Sequence, residues 1–259
     1  MQVIPIPCLS DNYAYLLVCP TTRDAAVVDP SQAAPVIAEV ERSGVKLVAI
    51  LNTHHHWDHV DGNNGLISNY PDLRVYGYAS DRGRIPGQTD FLDEDQTFSF
   101  GRLSGHITHN PGHTTGAITY YLEGCAFTGD TLFAAGCGRL FEGTPADMYM
   151  SLNKKIGSHP DDTMLYFGHE YTLANLKFAQ YMEPGNPHIS TRMEKVAELR
   201  KSGAFTTPST LAEERQTNPF MRCQIPEIIA AVKRAEPGND GSAIEVLRVT
   251  RALKDQYRG

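Results

Sequence analysis

Residues 53–59 read Thr53-His54-His55-His56-Trp57-Asp58-His59. Within them lies the pattern His-x-His-x-Asp-His, four metal-capable side chains in six positions. On an extended backbone His54 and His56 point to one side, because strand side chains alternate with period two. Asp58 and His59 reach a second point a few ångströms away only if the chain turns after His56. One short segment is thereby expected to feed two metal ions. His55 points away from its neighbours on the same reasoning and is expected to be structural. Trp57, the only tryptophan, is expected to be a packing residue.

Three more candidates follow. His113 lies in Asn110-Pro111-Gly112-His113-Thr114, Asp130 in Thr128-Gly129-Asp130-Thr131, and His169 in Phe167-Gly168-His169-Glu170. Each sits where an apolar run gives way to a turn, beside a glycine. Side chains at such points leave a rigid scaffold and enter a cleft. The set is five imidazoles and two carboxylates, donors that suit zinc, iron or manganese. Seven ligands are too many for one tetrahedral ion. They suit two ions that share a bridging carboxylate and leave a position for solvent. His106, His109, His159 and His188 have no partner pattern and are given no role.

The chain has 259 residues, 41% hydrophobic and 20% charged, with net charge −7. That is an ordinary globular composition, long enough for one large or two smaller domains. Nucleic-acid binding would need clustered basic residues, which are absent. No apolar run approaches the ~20 residues that span a bilayer. Met1–Pro7 lacks a basic segment followed by a small-residue cleavage site, so no signal peptide is expected. The five cysteines are odd in number and scattered, without a Cys-x-x-Cys pair. This argues against a disulfide framework or a thiolate cage. A cytoplasmic monomer is expected.

Short apolar runs bounded by Gly, Pro, Asn and Asp fill the first two-thirds. Strands are expected at 2–6, 13–18, 25–28, 47–51, 74–78, 106–109, 117–122, 126–127 and 164–167. Helical spacing marks 36–42, ending near Gly44. Thr144-Pro145-Ala146-Asp147 has the form of a helix start: Thr as cap, Pro at the first position, Asp in the first turn. Beyond Gly168 the pattern becomes helical, at 173–181, 190–201, 210–216, 227–234 and 243–257. Sheets with helices packed outside, followed by a helical domain starting between His169 and Pro187, are expected.

The motif at 53–59, with Pro111-Gly112-His113-Thr114, Gly129-Asp130-Thr131-Leu132-Phe133 and Gly168-His169-Glu170-Tyr171-Thr172, resembles the metallo-β-lactamase superfamily. Within it, the sequence is similar to the glyoxalase II (hydroxyacylglutathione hydrolase) family. Matching stretches also include Gly136-Cys137-Gly138-Arg139-Leu140-Phe141-Glu142-Gly143-Thr144, Asn218-Pro219-Phe220-Met221-Arg222 and Leu253-Lys254-Asp255-Gln256-Tyr257. The resemblance therefore runs through the whole chain.

It implies an α+β fold, an αββα sandwich over residues 1–170 followed by a helical substrate-binding domain over 171–259. His54, His56 and His113 would hold one metal ion; Asp58, His59 and His169 would hold the other; Asp130 would bridge. Zinc is the expected metal, with iron and manganese as alternatives. Asp29, in Val28-Asp29-Pro30, resembles a carboxylate that orients a ligand. The reaction implied is hydrolysis of S-(2-hydroxyacyl)glutathione, such as S-D-lactoylglutathione, in methylglyoxal detoxification. A metal-bound hydroxide would be the nucleophile, with Asp58 also a candidate proton acceptor. Glutathione contacts are implied at Arg139, Tyr171, Arg251 and Lys254. Some family members carry Lys and Tyr where this chain has Arg139 and Phe141. Arg139 keeps the charge with a different geometry, and Phe141 lacks a hydroxyl.

Overall fold

A computed structural model describes residues 1–258. The chain begins with β1 (Gln2–Cys8), β2 (Asn12–Val18) and β3 (Asp24–Val28), then α1 (Ala33–Ser43) and β4 (Lys46–Leu51). Next come α2 (Trp57–Val60), α3 (Asn63–Asn69), β5 (Arg74–Tyr78) and β6 (Asp90–Leu92). Strands β7 (Thr97–Phe100), β8 (Leu103–His109), β9 (Ile118–Leu122) and β10 (Cys125–Gly129) follow. Then come β11 (Leu132–Phe133), β12 (Gly136–Cys137), α4 (Pro145–Tyr149) and β13 (Met164–Phe167). The remainder is α5 (Thr172–Met182), α6 (Pro187–Lys201), β14 (Ser209–Thr210), α7 (Leu211–Thr217), α8 (Pro226–Ala235) and α9 (Ala243–Gln256).

Two compact units are present. The first comprises Met1–His109, Gly116–Asp130 and Tyr166–His169. Its first sheet has the order β1-β2-β3-β4-β5-β6. The β1/β2 and β2/β3 pairs are antiparallel, and the steps from β3 to β6 are parallel. Every residue of β2 is buried, which marks a strand covered on both faces. Ala14, Leu16 and Val18 join Val27, Ile50 and Val75 in a core completed by Val36 and Val40 of α1 and Leu66 of α3. On the alternate positions Tyr15 meets Phe127 of the second sheet at 5.7 Å between ring centroids, and Tyr76 meets Phe98 at 6.2 Å. Two sheets thus face each other across an aromatic seam. In the second sheet β7, β8, β9 and β10 lie in sequence, with β13 next to β10.

Helix α1 ends as its sequence requires. Gly44 takes φ 60° and its N–H reaches back to Glu41 and Val40, the left-handed termination that glycine permits. Strands β6 and β7 were not expected from sequence. The first has only three residues, and β7 alternates buried and exposed over only four, too short for periodicity to stand out.

The second unit comprises Asn110–Thr115, Thr131–Leu165 and the chain from Glu170 onward. Strands β11 and β12 form a two-residue hairpin. Thr144 caps α4, as its sequence predicts, and Asp147 in turn accepts from the Thr144 N–H at 2.9 Å. Met164 and Leu165 pair with β14. The five C-terminal helices lie where helical spacing put them, to within three residues at each end. Ala135, Leu176, Ala179, Ile189 and Val196 form their central cluster. In the same unit Arg192 and Glu214 make a buried ion pair at 2.7 Å.

Candidate metal centre

In the first unit the parallel strands β3 and β4 end at the same edge, followed by Asp29 and by residues 52–59. Ligands collect at the carboxyl ends of parallel strands because the chain there leaves the sheet into loops. The second sheet contributes Asp130 directly after β10 and His169 two residues after β13.

The turn required after His56 is present. His56 is extended, with φ −60° and ψ 143°, and caps the single helical turn α2. His54 Nε2 and His56 Nδ1 lie 3.2 Å apart, converging on one point. Asp58, His59 and His169 converge on a second, their donor atoms within 4.8 Å of one another. Asp130 faces this group with both oxygens: Oδ1 is 3.2 Å from His59 Nε2, and Oδ2 is 3.3 Å from His169 Nε2. His55 turns away as alternation predicts, its ring held by Asp81 at 3.3 Å and Arg84 at 2.5 Å. Trp57 contradicts expectation. It is 67% exposed and packs little, because α2 turns its side chain outward while Asp58 and His59 turn in.

The imidazoles are oriented from behind. His59 Nδ1 meets Asp29 Oδ2 at 3.0 Å, and His169 Nδ1 meets Asp11 Oδ1 at 2.9 Å. Each ring therefore presents Nε2 to the centre, the arrangement that fixes tautomer and direction in metal-ligating histidines. Asp29 also accepts from Thr53 N–H at 2.8 Å and from the Thr53 hydroxyl at 2.6 Å. It does so from φ 45°, a left-handed conformation that Asp tolerates better than most residues. Asp11 was not found in the sequence, nor was Asn12, which donates to the Asp58 carbonyl at 2.9 Å and to its Oδ2 at 3.2 Å. Asp11 ends the β1–β2 turn and Asn12 opens β2, positions where Asp and Asn are commonplace.

The charges fit a cation. Burial alone would lower the pKa of His59, but the Asp130 and Asp29 carboxylates raise it to about 10. His169 is likewise opposed by burial and raised to about 11, with Asp130, Asp58 and Asp11 as the cause. Burial pushes the carboxyls of Asp58 and Asp130 up, yet the two imidazoles hold both well below the usual carboxylate range. Positive charge at this point is thus strongly favoured. His59 Nε2 is buried and faces carboxylate oxygens of Asp130 at 3.2 Å and Asp58 at 3.7 Å. A Cβ on Gly168 would lie 2.4 Å from Asp130 Oδ1 and 2.8 Å from His59 Cε1. The donors, the charge and the space kept open by glycine all fit bound metal.

In the second unit His113 gives Nδ1–H to the Arg139 carbonyl at 2.8 Å, which fixes the ring so that Nε2 is its unprotonated nitrogen. Arg139 and Arg251 line a concavity of about 540 Å³ together with Phe141, Arg248, Asp255 and Arg258. Arg251 is only 7% exposed. It donates to the Cys137 carbonyl at 2.8 Å and to Asp255 at 3.0 Å. Lys254 does not line this concavity. It donates to the Ala174 carbonyl at 3.2 Å, with its ammonium over the rings of Phe178 and Tyr257. Tyr171 sits edge-on to Phe133 at 5.5 Å and is part-exposed. Arg248 lies on α9 and Arg258 just beyond it; neither stands out in the sequence, because arginines there look like a solvated face.

A family model described as the metallo-beta-lactamase superfamily matches residues 10–169, and one described as hydroxyacylglutathione hydrolase C-terminus matches residues 170–257. The hydroxyacylglutathione hydrolase of Synechococcus sp. (strain JA-2-3B'a(2-13)) is 48% identical over 99% of this chain and 100% of its own. That of Gloeobacter violaceus is 46% identical over the same shares. Among solved structures, ETHE1 from Myxococcus xanthus superposes with TM-score 0.65 at 22% identity, covering 98% of this chain and 100% of that one. The BLEG-1 B3 metallo-beta-lactamase superposes at 0.66 and 22%, covering 85% and 99%. The fold is accordingly the αββα sandwich expected, followed by a helical C-terminal region. Matched along its full length, the chain belongs to the hydroxyacylglutathione hydrolase (glyoxalase II) family of the metallo-β-lactamase superfamily.

Proposed function

We propose that this chain hydrolyses S-(2-hydroxyacyl)glutathione thioesters, such as S-D-lactoylglutathione, to glutathione and a 2-hydroxy acid. The observation that carries this is 48% identity to a hydroxyacylglutathione hydrolase over the full length of both chains, helical tail included. We assign His54, His56 and His113 to one ion, Asp58, His59 and His169 to the other, and Asp130 as the bridge. The convergent donors and the motif resemblance support this set. Zinc is the proposed metal, with iron and manganese also compatible with imidazole and carboxylate donors.

When bound, the ions acidify water to a pKa near 7 and neutralise charge that develops on the thioester carbonyl oxygen. The protein's own part is positional. Asp29 and Asp11 aim the two imidazoles. Asp58, held well below its normal pKa, stays ionised at neutral pH; we assign it the further part of orienting attacking water and receiving its proton. The leaving thiol needs little help, since a thiol pKa near 8.5 makes it a good leaving group. Burial pushes the Cys8 and Cys137 thiols up to about 11 and Cys223 up to about 12, so these three stay protonated thiols at neutral pH.

Glutathione carries two carboxylates, which the net charge of −7 opposes over long range. The arginine-lined concavity offsets this locally. We assign Arg139 and Arg251 to those carboxylates, with Lys254 and Tyr171 as further contacts. We place the boundary of the helical substrate-binding domain at 170/171. The superfamily model ends at 169 and the C-terminal model begins at 170. All five cysteines are free thiols, and among the described residues no helix is long and apolar enough to cross a membrane. We propose a cytoplasmic monomer.

The test is loss of ultraviolet thioester absorbance from S-D-lactoylglutathione, on protein of assayed metal content. Rapid turnover with close to two ions per chain is expected. Full metal loading without turnover would move the function to another hydrolase of the superfamily, with lactones and β-lactams as the next substrates.

A further inference from the structure

The ligands expected to share the second ion come from two places far apart in sequence. Asp58 and His59 ride on α2, and His169 follows β13. Something must hold these segments in register, because a metal site tolerates errors of only a few tenths of an ångström. The β1–β2 turn touches both. Asp11 Oδ1 accepts from His169 Nδ1–H at 2.9 Å. Its neighbour Asn12, buried, donates from one amide nitrogen to the Asp58 carbonyl and to Asp58 Oδ2.

The backbone fixes this turn to the same segment. Asn12 and His169 form an isolated antiparallel bridge. Tyr13 N–H donates to the Gly168 carbonyl at 2.8 Å, and the Tyr15 hydroxyl donates to the Phe167 carbonyl at 2.6 Å. Leu9 turns the chain with φ 50°, its N–H given to Gln32 Oε1 at 2.8 Å. The first pair of ligands is supported differently, with His54 Nδ1 3.0 Å from the Thr53 hydroxyl.

We propose that Asp11 and Asn12 are a pair of positioning residues dedicated to the second metal ion, Asp11 aiming His169 and Asn12 aiming Asp58. The inference rests on the binuclear reading of the site. It predicts a selective defect. Losing either side chain weakens retention of the second ion and leaves the first in place. Outer partners of metal ligands typically contribute about 10–100-fold in metal affinity.

The experiment uses the full chain and the variants Asp11→Ala, Asp11→Asn and Asn12→Ala. Metal per chain is measured by elemental analysis after dialysis against graded chelator. Cobalt-substituted protein gives an absorption spectrum for each titration, and circular dichroism checks folding. Wild type is expected to hold two ions. Asp11→Ala and Asn12→Ala are expected to hold one at chelator concentrations where wild type keeps both. Asp11→Asn, whose amide oxygen still accepts from Nδ1–H, is expected to lie closer to wild type than Asp11→Ala. Folded Asp11→Ala and Asn12→Ala proteins that hold both ions as tightly as wild type would overturn the inference, as would equal loss of both ions. Wild-type protein that never takes up a second ion would overturn the binuclear reading itself.

Discussion

Asp29 and His59, thirty residues apart and both buried, are joined from Oδ2 to Nδ1 at 3.0 Å, while the same carboxylate holds Thr53 by its N–H and its hydroxyl. One side chain therefore anchors both ends of the His-rich segment. Asp29→Ala removes three hydrogen bonds and frees the His59 ring to rotate. Metal affinity is expected to fall about 10–100-fold, with a lower melting temperature, since buried donors left unpaired cost about 1–3 kcal/mol each. Metal titration and thermal melts check both. Wild-type affinity would show that His59 does not depend on Asp29.

Gly168 makes a sharper case. A methyl group there would overlap Asp130 Oδ1 and His59 Cε1, and both neighbours are held by other contacts. Gly168→Ala is expected to fold, with overpacking costing about 1–3 kcal/mol. Its metal content should fall, and kcat/KM should drop at least about tenfold. Gly44→Ala is the control: its Cβ would meet nothing within 4 Å, so only stability should suffer there, through the left-handed φ.

The contrast between Asp29 and Asp11 shows what was legible in the sequence. His54 to His59 declare themselves because four donors at strand-then-turn spacing are local and chemically unusual. His113, Asp130 and His169 become legible through their shared context of strand end and glycine. Asp29 was reached only by resemblance, and Asp11 not at all. A turn Asp acquires meaning only through a contact 158 positions away, and neither periodicity nor composition encodes that. The helical tail was readable because helical spacing is local. The packing expected of Trp57 failed because hydrophobic character does not say which side of a four-residue helix faces solvent. Arg251 shows the same gap in reverse: nothing local in the sequence says that it is buried against the Cys137 carbonyl.

In the helical region Arg192 and Glu214 form a buried ion pair at 2.7 Å. Glu214 Oε1 accepts from Arg192 and Ser209, and Oε2 accepts from Ala135 N–H and Asn218. A buried pair need not stabilise relative to an apolar one, but removing one partner strands the other. Glu214→Gln leaves the buried Arg192 uncompensated and places an amide donor among donors. A loss of about 3–5 kcal/mol is expected, read as a large fall in the denaturant midpoint. Replacing the pair together, Arg192→Met with Glu214→Gln, should recover part of it. No recovery would mean that the other contacts of Glu214 dominate.

The glutathione contact proposed at Lys254 carries a pH dependence. Burial first, then the charge of Arg251, lowers its pKa from 10.5 to about 8. Below pH 8 the ammonium is charged in both folded and unfolded chains, and its burial opposes folding. Between pH 8 and 10.5 the unfolded chain binds more protons than the folded one, so this group makes stability rise with pH across that window. Substrate binding runs the other way. Deprotonation above about pH 8 removes a cation from the proposed glutathione contacts, so KM should rise there while kcat changes less. Lys254→Arg keeps the charge and should flatten the KM profile up to pH 10. Arg251→Ala removes the neighbouring charge and should move the KM inflection upward, while raising KM by about tenfold or more, as expected for a charged hydrogen bond of about 1.5–3 kcal/mol. The KM profiles of wild type and both variants between pH 6 and 10 decide the matter. A wild-type profile without an inflection near 8 would remove Lys254 from the binding site.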